Sequence, residues 1–231
     1  MKKYFLLLAT ILIVSAAKSQ ILISLLLGDK LNSGKMEFGL EGGMNWSDLK
    51  GIDEAKSMRT FNLGFYFDIK LKNPAWMLNT GVIVKSAMGA DELPLYTTGD
   101  PALDNVFEGG QITRKINYFN VPVMMKYKFK NNIYLKAGAQ LGLRYKASDE
   151  FKNAVNEEDD LKYTSGIKKA LHPLDAGLAF GAGYRLMKGN GINIGVQYYY
   201  GLVDIVIDDA SPKQFNRVLY LTAGIPIGVK K

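Results

Sequence analysis

The chain has 231 residues, 22% of them charged and 11% aromatic, with 24 glycines and a formal net charge of +7. That composition excludes a disordered chain, and the absence of cysteine excludes a disulfide framework, a thiolate metal site and a lipid-modified cysteine. Without Lys2, Lys3 and Lys18, which fall in an apparent export leader, the basic residues drop from 29 to 26 against 22 acidic ones, an excess too small and dispersed to argue for a nucleic-acid partner.

Residues 1–19 read as a signal peptide: MKK, the apolar stretch YFLLLATILIVSAA, then Ala17-Lys18-Ser19 with small residues three and one before a cut at Gln20. The alternative is an uncleaved anchor, because ILISLLLG follows at 21–28, but Lys18 and the small residues break the apolar run at the spacing a signal peptidase requires. Residues 20–34 are assigned as a periplasmic lead-in, with a plug or an additional strand as alternatives, and 35–231 as one barrel domain. Beyond the leader no apolar run approaches the roughly 20 residues of a membrane-spanning helix, so any span must be built from strands.

Eight segments then alternate with period two, the spacing of a strand and not of a helix. Near 35–45, Met36, Phe38 and Leu40 oppose Glu37, Gly39 and Glu41. Over 59–72, Phe61, Leu63, Phe65, Phe67 and Ile69 oppose Asn62, Gly64, Tyr66, Asp68 and Lys70. Over 75–86, Trp76, Leu78, Val82 and Val84 oppose Asn79, Gly81 and Lys85. The fourth segment, INYFNVPVMMKYKF at 116–129, sets Phe119, Val121, Val123, Met125, Tyr127 and Phe129 against Asn120, Pro122, Met124, Lys126 and Lys128. Pro122 lacks an N–H and predicts a bulge or kink there. The remaining four, near 132–146, 174–186, 192–201 and 219–229, repeat the pattern with glycine-rich inner rows.

Tight turns follow the second, fourth and sixth segments (Lys72-Asn73-Pro74, Lys130-Asn131 and Lys188-Gly189-Asn190-Gly191), whereas the other joins are long and polar. An even number of strands with short turns at one end and long loops at the other predicts an all-β fold, an eight-stranded antiparallel up-and-down transmembrane β-barrel with short periplasmic turns and long external loops. A soluble lipocalin-type barrel would also alternate, but its apolar row would face inward. Here the row rich in Gly, Asn, Gln and opposed charges suits a tight eight-stranded interior. The strand directions place Phe61, Phe119, Tyr145, Tyr198 and Tyr200 at the outer rim and Trp76, Tyr127, Phe129 and Tyr184 at the periplasmic rim, two aromatic girdles. Glu37, Glu41, Asp68, Lys85, Lys126, Lys136, Arg144, Asp175 and Arg185 are expected to form a structural polar network in the lumen, since unpaired buried charge is costly, and so no large open pore is expected.

The stretches YFNVPVMMKY (118–127), YLKAGAQLG (134–142), DAGLAFGAGY (175–184) and YYYGLVD (198–204) resemble the PorT-like outer-membrane β-barrel family of the Bacteroidetes type, from about residue 35 to the end. The resemblance implies an eight-stranded, OmpX-sized barrel, and it makes an accessory role in type IX secretion the second functional expectation. The first is an integral outer-membrane protein of structural or interaction type without catalytic activity; a narrow channel or a lipid-modifying enzyme stands behind both. Expected partners are outer-membrane lipid and lipopolysaccharide, the outer-membrane assembly machinery, and a periplasmic or secretion-system protein.

No cofactor or metal is expected. The lone histidine, His172, precedes the sixth segment and is read as solvated and not as a catalytic base. The acidic run Glu157-Glu158-Asp159-Asp160 and the pair Asp208-Asp209 match no calcium loop and are read as solvated loop charge. The lysines near the periplasmic rim, among them Lys70, Lys72, Lys128, Lys130, Lys188, Lys230 and Lys231, either snorkel to the interface or meet an acidic partner.

Overall fold

A computed structural model describes residues 34–154, 161–189, 191–207 and 212–227. The signal peptide, all but the last residue of the lead-in, the acidic run at 157–160, Asp208, Asp209, Lys230 and Lys231 lie outside them. Ten strands occur in chain order: β1 (Met36–Lys50), β2 (Met58–Lys70), β3 (Trp76–Lys85), β4 (Ala87–Leu93), β5 (Gln111–Lys128), β6 (Ile133–Asn153), β7 (Leu161–Gly166), β8 (Leu174–Arg185), β9 (Asn193–Gly201) and β10 (Phe215–Pro226), with one short helix, α1 (Pro101–Val106), between β4 and β5.

Eight of these strands close a ring. The order β5-β3-β2-β1-β10-β9-β8-β6 returns to its start through β5–β6, and every pairing is antiparallel. Closure removes the exposed edges of the sheet and satisfies the backbone without water, the condition for strands in hydrocarbon. This is the eight-stranded barrel the alternation predicts. β4 and β7 are not staves: β4 pairs with the outer part of β5 and β7 with the outer part of β6, so both belong to the long-loop end.

The alternation is written in the burial. Along β5, Asn120, Pro122, Met124 and Lys126 are buried while Phe119, Val121, Val123 and Met125 are exposed, an apolar row facing outward. In the inner row, glycines make room for tyrosines. The Tyr66 ring lies over Gly39 and Gly224, and the Tyr134 ring over Gly183 and Gly195, so that a Cβ added at Gly224 would come within 3.1 Å of Tyr66 and one at Gly195 within 2.5 Å of Tyr134. An eight-stranded interior is just wide enough for its own side chains, and these pairings fill it.

Three corrections follow. Pro122 neither bulges nor shifts the register: it pairs with Gln140 on β6, while toward β3 the ladder is interrupted between Thr80↔Val123 and Ile83↔Asn120, opposite Gly81. The ladder toward β3 therefore has a two-pair gap at the proline, and no strand is displaced. Among the eight staves the bulges lie elsewhere, at Val84 of β3, where Leu63 pairs with Lys85 but Gly64 with Ile83, and at Tyr145 of β6, where Asn117 pairs with Lys146 but Tyr118 with Arg144.

The second correction concerns Lys85. The extra residue at Val84 inverts the parity, so Lys85 leaves the inner row and stands exposed, its Nζ 5.9 Å from the Phe61 ring centre. The third concerns the interior, which is polar along only part of its length. Above the two bulges apolar side chains dominate the interior: Tyr118, Tyr199, Tyr220, Val218, Met88, Ile112, Ile116 and Phe151 form one buried core beneath the loops, with Ser86, Thr113 and Asp149 also buried at that end.

Candidate functional site

Two polar constellations and the core between them make up the functional geometry. At the tight-turn end, β1 and β8 bring Glu37 and Arg185 together in a two-pronged pair, Arg185 donating from NH1 to Oε1 at 2.8 Å and lying with NH2 2.7 Å from Oε2. Tyr66 donates to the same carboxylate at 3.0 Å, and Asn193 donates to Tyr66 at 3.1 Å. Beside it, Asp68 accepts from Lys126 at 2.6 Å and from Asn79 at 2.7 Å, with Lys126 also over the Tyr134 ring. Fork-like geometry and several hydrogen bonds to each carboxylate are what allow these ions to be held away from water.

The other residues assigned to the lumen behave differently. Lys136 is the direct cross-strand partner of Lys126, an arrangement unfavourable for like charges; it is buried, and among the described residues it makes no ion pair, nor does the half-buried Glu41. Arg144 meets no carboxylate: its Nε donates to the His172 carbonyl at 3.1 Å and its NH2 to the Leu171 carbonyl at 3.0 Å, tying β6 to the loop before β8. Asp175 is buried and accepts from Asn216 at 2.8 Å. The network is therefore two ion-paired clusters near the tight turns and single polar ties further out, with Lys85 outside it altogether.

All nine girdle residues are directed outward. Trp76, Tyr127 and Phe129 form a row at the tight-turn end, tilted and edge-on to one another with centroid separations of 4.8 Å for each neighbouring pair, and Tyr184 lies on the same rim. At the other rim Phe119 stacks on Tyr145 at 4.5 Å, and Arg217 covers the Tyr200 ring at 3.6 Å. Phe61 and Tyr198 are exposed on the same outer half.

The constellation that parity does not reveal sits at the long-loop end. Arg114 of β5 donates to Asp149 of β6 through Nε at 2.9 Å and NH2 at 2.7 Å, and through NH1 to Gln214 at 3.0 Å; Tyr96, in the loop before α1, donates to Asp149 at 3.1 Å. Burial first, then the Asp149 carboxylate, raises the pKa of the Tyr96 hydroxyl well above the ordinary tyrosine range. The Asp149 carboxylate thus ties β6 directly to β5 and to the Tyr96 loop, and through Arg114 to the loop that carries Gln214. In the sequence, Arg114 and Asp149 each stand beside a like charge, Lys115 and Glu150, with nothing to mark them as partners, and only the register of β5 on β6, which sets Arg114 opposite Asp149, brings them together. His172 is exposed nearby, and among the described residues no group of three His, Asp or Glu side chains is placed to hold a metal ion.

A closed antiparallel ring with an apolar exterior, two aromatic rims, tight turns at one end and long loops at the other defines an outer-membrane β-barrel. The chain belongs to the outer membrane protein beta-barrel domain family, whose model matches residues 28–206, and its place is accordingly the outer membrane. No curated protein matches it in sequence. Similar solved structures include Ail, the attachment invasion locus protein of Yersinia pestis, solved with the heparin analogue sucrose octasulfate (14% identity over 84% of this chain and 99% of Ail, TM-score 0.42). Others are Neisserial surface protein A (12% identity, 83% of this chain and 97% of that one, TM-score 0.40) and AlkL in lipid bilayers (13% identity, 87% and 95%, TM-score 0.38).

Proposed function

We propose that this protein is a non-catalytic outer-membrane barrel that presents its looped face for recognition and conducts no large solute. The observation that carries the reading is the filling of the interior: three fully buried tyrosines, Tyr118, Tyr199 and Tyr220, cross the lumen beneath a core continuous with the loops, while Glu37–Arg185 and Asp68–Lys126 occupy the opposite end. In this reading residues 1–19 are a cleaved signal peptide, 20–34 a periplasmic lead-in and 35–231 the barrel, with outer-membrane lipid and lipopolysaccharide around the girdles and the assembly machinery as a transient partner. Reconstitution in planar bilayers tests it. The native barrel gives no large steady conductance, and the triple change of Tyr118, Tyr199 and Tyr220 to alanine gives one. A steady native pore would overturn the reading.

A second reading, an accessory of a PorT-like secretion machinery, is favoured by the tight-turn end. Lys72, Lys130 and Lys188 stand exposed there, and among the described residues none of them is in an ion pair, which suits an acidic periplasmic partner. Replacing the three with glutamine abolishes co-purification of such a partner from native membranes if this reading is correct. A complex that survives the change defeats it.

A further inference from the structure

At the looped end, beyond the outer girdle, lies a cavity of about 670 Å³ between the β7–β8 loop, the β9–β10 loop and the outer part of β5. The two loops are zipped together beside it: Leu171 bridges Val206, His172 donates its N–H to the Ile205 carbonyl at 2.8 Å and Ile207 donates to Ala170 at 3.1 Å. Ile167, Leu171 and Val206 line the cavity and also pack in the core beneath the loops, so its floor is both apolar and rigidly supported. The volume falls in the range of small-molecule sites, which are mostly apolar with a few fixed polar groups.

The polar groups around it are unbalanced. Asp149, the neighbouring carboxylate, is engaged on both oxygens by Arg114 and Tyr96, and the Gln214 side-chain oxygen is engaged by Arg114. The donors are not used up. Two of the five Arg114 N–H groups are left over after its bonds to Asp149 and Gln214, and the Gln214 side-chain NH2 donates to no group among the described residues. Lys169, on the cavity wall, makes no ion pair among them either. With Arg114 neutralised by Asp149, Lys169 is the charged group left without a counter-ion among the described residues that line the cavity, above an apolar floor.

We propose that this cavity binds a small amphipathic carboxylate from the external medium, its apolar body on Ile167, Leu171 and Val206 and its carboxylate toward Lys169 and Gln214. The inference rests on the recognition role proposed for the looped face and assigns it a ligand class.

The test uses the full barrel in lipid nanodiscs, with phenylbutyrate as probe, phenylbutanol and phenylbutylamine as matched controls, and empty nanodiscs to subtract partitioning into lipid. Saturable one-site binding of phenylbutyrate is expected by ligand-observed NMR, about tenfold tighter than the alcohol, the equivalent of one charge-assisted hydrogen bond, with no binding of the amine. Lys169→Gln removes that preference while leaving alcohol binding unchanged. Ala170→Trp fills the cavity and abolishes binding of both, in a protein whose heat-modifiable migration shows an intact barrel. Equal affinity for acid and alcohol, unchanged binding in Ala170→Trp, or uptake no greater than in empty nanodiscs would each overturn the proposal. Bilayer conductance reads the closed-barrel function separately: failure to bind the probe in a barrel that still conducts nothing removes the ligand and keeps the recognition role.

Discussion

Removing Asp68 probes the lumen most directly. Asp68 and Lys126 have side chains only 2% and 5% exposed and lie 2.6 Å apart, so Asp68→Ala strands an ammonium among Tyr134, Lys136 and the barrel wall and also takes the acceptor from Asn79, now 2.7 Å away. Breaking a buried pair from one side costs about 3–5 kcal/mol, because the surviving charge keeps its desolvation penalty without its partner. Replacing both ends, Asp68→Ala with Lys126→Met, removes the penalty along with the attraction and leaves a barrel within about 2 kcal/mol of the native one. The single changes thus sum to more than the double change by at least about 2 kcal/mol, the mark of direct coupling. Equilibrium urea unfolding in lipid vesicles, followed by the fluorescence of Trp46 and Trp76, measures all four proteins. A cost below about 1 kcal/mol for Asp68→Ala, or strict additivity, would show that the pair is hydrated and the lumen open to water.

Gly183→Ala drives a Cβ into the Tyr134 ring and should destabilise the barrel by about 1–3 kcal/mol, with Tyr134→Leu recovering much of the loss; the same unfolding assay checks both. Lys85→Cys should react with a membrane-impermeant maleimide on intact cells, whereas Lys126→Cys should not, since the first is exposed at the outer rim and the second is buried. Arg114→Ala frees Gln214 and leaves the buried Asp149 carboxylate with Tyr96 alone, and hydrogen exchange in the flanking loops should accelerate while the staves of the barrel stay protected. Tyr96 is held neutral by burial and by Asp149. Its contribution is therefore fully present below the free tyrosine value of about 10 and is lost as pH rises through its higher folded value, so alkaline loosening of the loops in the native protein should begin above pH 10. Tyr96→Phe should abolish that pH dependence, as read by loop proteolysis.

The membrane-embedded part was legible because one rule, period two with one face in lipid, acts on every stave. Phe119 to Tyr127 and Ile133 to Leu143 need no partner to be known in advance; lipid is the same everywhere. What escaped depends on register. Lys85 obeys parity only until one extra residue at Val84 turns it outward, and Tyr145 does the same to β6, and neither bulge carries a glycine or proline to announce it. Past those points the solvent changes as well. Ile112, Ile116 and Phe151 lie inside a water-facing cap, where the apolar row turns inward, so the polarity rule valid in the membrane reads with the opposite sign. Arg114 and Asp149 became a site only through the pairing of β5 with β6.

The cap above the bulges has a bearing on the order of assembly. Its outer surface carries Lys115, Glu150 and Lys152, the first two paired at 3.1 Å, and its stability comes from apolar side chains resting on Tyr118, Val218 and Tyr220, which belong to barrel staves. Before β5 and β10 are in place that support does not exist, and charged hairpins of this kind are poorly soluble in hydrocarbon. The loops must therefore cross as unpacked chain and condense on the finished ring from the far side. The last event in maturation is then the folding of a small water-soluble core outside the membrane, with the barrel as its template.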